Sequence, residues 1–296
     1  MADERSRYRP ESEPDYSHRF HAGNIGDVWK HCVLVEVLRH AAASTTHATF
    51  IDTHAGEASY RLGATGEWSE GIGRLWHDEA IAAGEDAVAR YLNLCQRLGT
   101  GSVRPEQYPG SPALARAVLG NDARLQLWER DTTTAERLRS NLRDDPHAHI
   151  EEGDGLAGLD NTLGAAERTG DDAVVLIDPP WTHKADWTTV PDALAQAVNA
   201  SSRTCFVLWY PVKSLTRPNA MFARLAAAGV PATIAELITT PLEHQRQRLN
   251  GSGVLLVRAP QRAVAAIAAA APVIGERCAT RAGAWSFRMQ TWTTAS

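Results

Sequence analysis

The chain has 296 residues, 44% of them hydrophobic, and a formal net charge of −5, which gives one large domain with a full core and speaks against a general nucleic-acid coat. No apolar run approaches the ~20 residues of a membrane span. Residues 1–15 are charged, lack the apolar centre of a secretory signal and read as a disordered tail.

In chain order, the polar stretch around His18, His21 and Asn24 leads into a helix over 28–40. There Val28, Cys32, Val35 and Leu38 fall at helical spacing, with Asn24 or Asp27 as cap. His18, His21 and His31 lack the i, i+4 pairing and neighbouring acid of a helical metal site, so no metal is expected. Thr49-Phe50-Ile51-Asp52 is a strand ending in an acid. The small-residue loop Thr53-His54-Ala55-Gly56 after it is how a nucleotide-binding sheet opens its ligand site, though one glycine alone is also an ordinary turn.

Residues 61–110 are too many for a short connection and hold two helical patterns, so they read as an inserted helical subdomain. Ser111 as N-cap with Pro112 behind it starts the next helix. A strand over 125–128 ends at Glu129, placed as ribose-binding acids are. The strand 149–152 ends before Asp154, either a partner for an adenine amino group or a helix cap. Then comes Val174-Val175-Leu176-Ile177-Asp178-Pro179-Pro180-Trp181, a buried strand stopped by two prolines and an indole. Residues 205–210 form another strand, stopped at Pro211, and 233–238 with 253–257 form a strand pair. Between them, Arg246 and Arg248 lie in a polar loop suited equally to phosphate contact and to plain solvation. A helix near 262–271 and an alternating stretch at 285–292 close the chain.

Five strands alternating with helices, then a pair, give a Rossmann-like α/β fold with a mostly parallel seven-stranded sheet. The four cysteines (Cys32, Cys95, Cys205, Cys278) are widely spaced, the pattern of reduced thiols in a cytoplasmic protein.

Several blocks together resemble one family, the bacterial 23S ribosomal RNA adenine-N6 methyltransferases of the RlmJ type. They are Tyr16-Ser17-His18-Arg19-Phe20-His21-Ala22-Gly23-Asn24, Asp27-Val28, Lys30-His31, Asp52-Thr53-His54-Ala55-Gly56, Glu70-Gly71-Ile72, Tyr108-Pro109-Gly110-Ser111-Pro112, Asp154-Gly155, Leu176-Ile177-Asp178-Pro179-Pro180-Trp181 and Leu208-Trp209-Tyr210-Pro211-Val212. The resemblance implies a class I methyltransferase domain over 16–296 that uses S-adenosylmethionine (SAM) and acts on 23S rRNA; a cytoplasmic monomer is expected. It implies SAM contacts at His31, His54, Ser111, Glu129, Asp154, Gly155 and Asp178, and a substrate role for Tyr16; Arg246 and Arg248 are further candidate RNA contacts from their loop alone. The resemblance places the catalytic acid at Asp178; the chemistry then expects Asp178 and the Pro179 carbonyl to accept from the adenine amino group while Trp181 stacks on the extruded base. The chain departs from the family at Glu57-Ala58-Ser59, where a second glycine and an arginine are usual, and at Arg130-Asp131 after Glu129. The residues alone leave the acceptor open: another nucleic acid, a small nucleoside, or an RNA-binding protein that no longer uses SAM.

Overall fold

The computed structural model describes residues 18–43, 48–169, 172–243 and 249–293. After a single turn, α1 (His18–His21), comes the long α2 (Ile25–Ala42). Then follow β1 (Ala48–Asp52) and β2 (Ser59–Arg61), an excursion with two 3-10 turns, α3 (Glu79–Ala82) and α4 (Ala87–Leu98), and β3 (Gln107–Pro109). The chain continues with α5 (Ser111–Leu119), β4 (Arg124–Glu129), α6 (Thr132–Asn141), β5 (Ala148–Glu152), α7 (Gly155–Thr169) and β6 (Asp172–Ile177). Last come α8 (Asp186–Ala200), β7 (Cys205–Val212), α9 (Thr216–Ala227), β8 (Ala232–Ile238), β9 (Gly251–Val257), α10 (Gln261–Cys278) and β10 (Ser286–Trp292).

The main sheet runs β10-β8-β9-β7-β6-β1-β4-β5. Strands β5, β4, β1, β6 and β7 are mutually parallel, while β9 is antiparallel to β7 and β8, and β10 antiparallel to β8. The sheet thus has eight strands and not the expected seven, because the final strand at 286–292 also joins it, along β8. Strand β7 also passes through Pro211 to Val212. Its pairing with β6 ends at Leu208, so only β9 flanks it there, and a proline can sit where one side needs no donor.

The parallel strands are buried on both faces, so their side chains alternate between two apolar layers. From β6, Val174 and Leu176 join the layer containing α2, α4, α5 and α10. Ala173, Val175 and Ile177 join the other, beside Leu194 of α8 and Leu225 of α9. Val88, Tyr91, Leu92 and Cys95 of α4 belong to the same apolar cluster as Val28 and Leu34 of α2, so the excursion shares the main core.

Helix α2 is buried along most of its length, from Ile25 to Leu38. Its start is a reciprocal cap: Asn24 accepts from the Asp27 N–H (3.1 Å), and Asp27 reaches back to the Gly23 N–H (2.9 Å). Two polar contacts pin it to the far strands, Trp29 Nε1–H to the Ala235 carbonyl (3.0 Å) and the Ser252 hydroxyl to the Gly26 carbonyl (3.1 Å). Among the described residues no helix is long and apolar enough to cross a membrane.

Candidate active site

The strand order reverses beside β1, where β4 pairs on one side and β6 on the other. In open α/β sheets that crevice, beyond the carboxyl ends of the strands, takes the ligand. Four acids stand there: Asp52 ends β1, Glu129 ends β4, Asp154 follows β5 and Asp178 follows β6.

Asp178 faces Lys30 of α2, with Oδ2 2.5 Å from Nζ. The same ammonium lies 2.7 Å from Asp27 Oδ1. The Lys30 side chain is 4% exposed and that of Asp178 13%, so the pair is desolvated yet borders the crevice. Burial raises the Asp178 carboxyl to about 7, with Asp27 and Asp52 adding repulsion and Lys30 opposing both. The two carboxylates overcome the cost of burying Lys30 and hold it protonated. Asp178 is thus a weakly solvated acceptor beside a fixed cation, with basicity near neutral pH.

Asp52 differs in its partners. It is fully buried, accepting from the Ser111 hydroxyl (2.6 Å) and the His54 N–H (3.0 Å). Burial pushes it up to about 6 against those hydrogen bonds. Gly110 is the cap of α5 and Ser111 its first helical residue, a correction to the expected Ser111 cap. The hydroxyl is drawn to a buried carboxylate, which binds it more strongly than a peptide N–H would.

Glu129 accepts from the N–H groups of Gly56 (3.0 Å) and Asp131 (2.9 Å), and burial raises its pKa against them. Asp154 is exposed and caps α7, accepting from Leu156 N (3.0 Å) and Ala157 N (3.3 Å). Gly155 meets the loop after β1 so closely that a Cβ there would strike the Thr53 backbone. His54 sits between, its Nδ1 2.8 Å from the Thr53 hydroxyl, and burial lowers its pKa to about 4, so the ring is neutral at pH 7. His31 lies deeper, 2% exposed, with Nδ1 2.7 Å from the Tyr108 hydroxyl, which is itself 2.9 Å from that of Tyr91.

In the loop after β6, Trp181 has a left-handed backbone (φ 55°), is 7% exposed, and donates its indole N–H to the Trp209 carbonyl (3.1 Å). Its ring packs on Trp187 at 4.3 Å between centroids. Little of the indole is therefore exposed beside Asp178, where stacking on a base is expected of it. Trp209 is half-buried beside the Asp178–Lys30 pair. Its Nε1–H is fixed on the Ser252 hydroxyl (2.9 Å), and the Lys30 ammonium lies 5.6 Å from its centroid.

Asp27, Lys30 and Trp209 stand in the blocks that carry the resemblance, but sequence reasoning gave none of them a place in the site. The available signal was Lys30 itself, one of three lysines in the chain, flanked by Val28, Trp29, Cys32 and Val33 in a helix that reads as core. Tyr16, Arg246 and Arg248 lie outside the described residues.

The donor set suits a nucleoside-like ligand: two acids at the ends of β4 and β5, a left-handed Gly56 (φ 63°), and a glycine where α7 abuts the loop. A family model described as "RsmJ: Ribosomal RNA large subunit methyltransferase D, RlmJ" matches residues 45–294. The chain is 34% identical over 251 residues to "Ribosomal RNA large subunit methyltransferase J" of Haemophilus influenzae, covering 83% of this chain and 87% of that one. The Escherichia coli protein of the same name is 33% identical over 252 residues, with the same coverage. A crystal structure of a Legionella pneumophila protein superposes with a TM-score of 0.82 at 23% identity, over 92% of this chain and 98% of that one, which supports the same fold.

Proposed function

The chain belongs to the RlmJ family of ribosomal RNA large subunit methyltransferases, and from that membership we propose that it transfers a methyl group from SAM to the N6 amino group of an adenine in 23S ribosomal RNA. The observation that carries the reading is the buried Asp178–Lys30 pair at the switch point of the sheet. Glu129, Asp154, His54 and the backbone around Gly56 and Gly155 would hold the cofactor, with Asp52, Ser111 and His31 bracing that wall from the core side. SAM, when bound, supplies an electrophilic methyl group on a sulfonium.

An adenine N6 is a poor nucleophile because its lone pair is delocalised into the ring. Asp178 and the Pro179 carbonyl accept hydrogen bonds from the amino group, which localises the lone pair and aims it. Lys30 fixes one carboxylate oxygen and leaves the other for the base. Such positioned acceptors act strongly in a dry site. Because its pKa is raised to about 7, Asp178 also suits taking the proton that the methylated amine must lose. Trp209 gives the extruded base a ring beside this pair, while Trp181 holds the loop. Tyr16, Arg246 and Arg248 complete the RNA contacts in this reading. It places the protein in the cytoplasm, acting as a monomer.

The test is methyl transfer from labelled SAM to 23S rRNA by the purified protein, with the modified base identified by mass mapping. N6-methyladenine at one rRNA position, lost with the gene, is the expected result. Label found only in DNA or in free nucleosides would sink the proposal.

A further inference from the structure

The segment Gly56–Ser59, where the chain departs from its family, is strained and tied down from several sides. Gly56 and Ala58 both have left-handed backbones, at φ 63° and 61°, and Ala58 has no glycine's freedom there. Non-glycine residues keep such conformations only where their surroundings over-determine them. Here the Gly56 N–H is held by Glu129 (3.0 Å), the Glu57 N–H by the Tyr60 hydroxyl (3.0 Å), and the Ala58 carbonyl by the Gly110 N–H (2.8 Å). Two more ties come from α6: Asn141 Nδ2 donates to the Glu57 carbonyl (2.7 Å), and Arg137 Nη1 lies 3.0 Å from Glu57 Oε1. The Glu57 side chain is 7% exposed and that of Arg137 44%, so the pair has one dry and one wet end.

We propose that Glu57 and Arg137 form a latch that sets the cofactor loop, making both of them positioning residues for SAM. The inference rests on the SAM-dependent reading above. Glu57 directly follows the glycine whose N–H is bound to Glu129, the acid placed for the ribose. Without either member of the pair the loop loses this tie to α6, and the Gly56 N–H is no longer held square to Glu129. With the pair in place, the Glu57 side chain is turned towards α6 and the Gly56 N–H stays on Glu129. The latch acts on cofactor binding and not on the amino group being methylated.

The experiment is calorimetric titration of the full chain with SAM, for the unaltered protein and for E57Q, R137Q and the double variant, alongside steady-state methylation of rRNA. Each single variant is expected to weaken SAM binding about three- to tenfold, as coupled charged neighbours do. The double variant binds no more weakly than the weaker single one. The rate at saturating SAM and the KM for RNA stay unchanged. Single variants within twofold of the unaltered protein overturn the latch. So does a loss shared equally by SAM affinity, saturated rate and RNA KM, since that marks a general loosening of the fold. If the unaltered protein binds no SAM, the functional reading falls and the latch falls with it.

Discussion

Asp52 and Asp178 close neighbouring parallel strands, are both desolvated, and both have raised pKa values, yet their surroundings differ in kind. Asp52 is completed by neutral donors, the Ser111 hydroxyl and a backbone N–H, and no part of it reaches solvent. Asp178 is matched to a cation by one oxygen and borders the crevice. A carboxylate surrounded by neutral donors braces a loop, whereas one paired to a buried lysine at the edge of a cleft keeps an acceptor available for chemistry.

Four substitutions would break or sharpen that contrast. The largest effect is expected for Asp178→Ala: rRNA methylation falls about 10²–10³-fold, as when a positioned acceptor or donor is lost, while calorimetry shows SAM affinity little changed. Next is Lys30→Met. In the unaltered enzyme, activity requiring ionised Asp178 rises with pH through about 7 and then levels. Removing the cation makes that carboxyl still harder to ionise, so the rising limb of the profile moves to higher pH. Activity at pH 7 falls by up to about tenfold and returns as the pH is raised. A pH–rate profile with an unmoved limb would contradict the pairing.

Ser111→Ala probes the other acid. It leaves a buried carboxylate short of a donor and costs about 1–3 kcal/mol in urea unfolding, with a smaller loss of methylation than either change at the pair. The sign of its pH dependence follows from the raised value. Asp52's contribution to stability is greatest below its unfolded pKa of about 4 and is lost as the pH rises through about 6. The smallest effect is expected for Trp181→Phe, which removes the bond to the Trp209 carbonyl at a cost of about 1 kcal/mol and leaves the KM for RNA near its original value. A large rise in that KM would mark the indole as a stacking surface.

Much of this arrangement was legible in the chain because it is written locally. Apolar runs ending in an acid mark β1, β4 and β6, and helical spacing marks α2 and α4. Two prolines after Asp178 announce where the sheet stops. The remainder depends on distance through space. Lys30 meets Asp178 across 148 positions, and no window contains both. Ser111 looks like a cap because its neighbours suit one, while its partner, Asp52, lies 59 residues upstream. Trp181 looks exposed because it follows a turn, but β7 supplies a carbonyl for its N–H. Strand β10 has the alternation of a strand, and only the position of β8 decides that it joins the main sheet.

The burial of α2 also has a consequence for the order in which the molecule can assemble. Its contacts with Ala235 and Ser252 span 206 and 226 residues, so the helix is synthesised long before the strands that enclose it. Contacts of such separation form late, because the loop they close must first lose its freedom. Until then a strongly apolar helix carrying Lys30 waits with its surfaces open. Catalytic competence should therefore lag behind formation of the parallel strands and appear when the carboxyl-terminal strands have enclosed α2, which refolding followed by methylation activity would show.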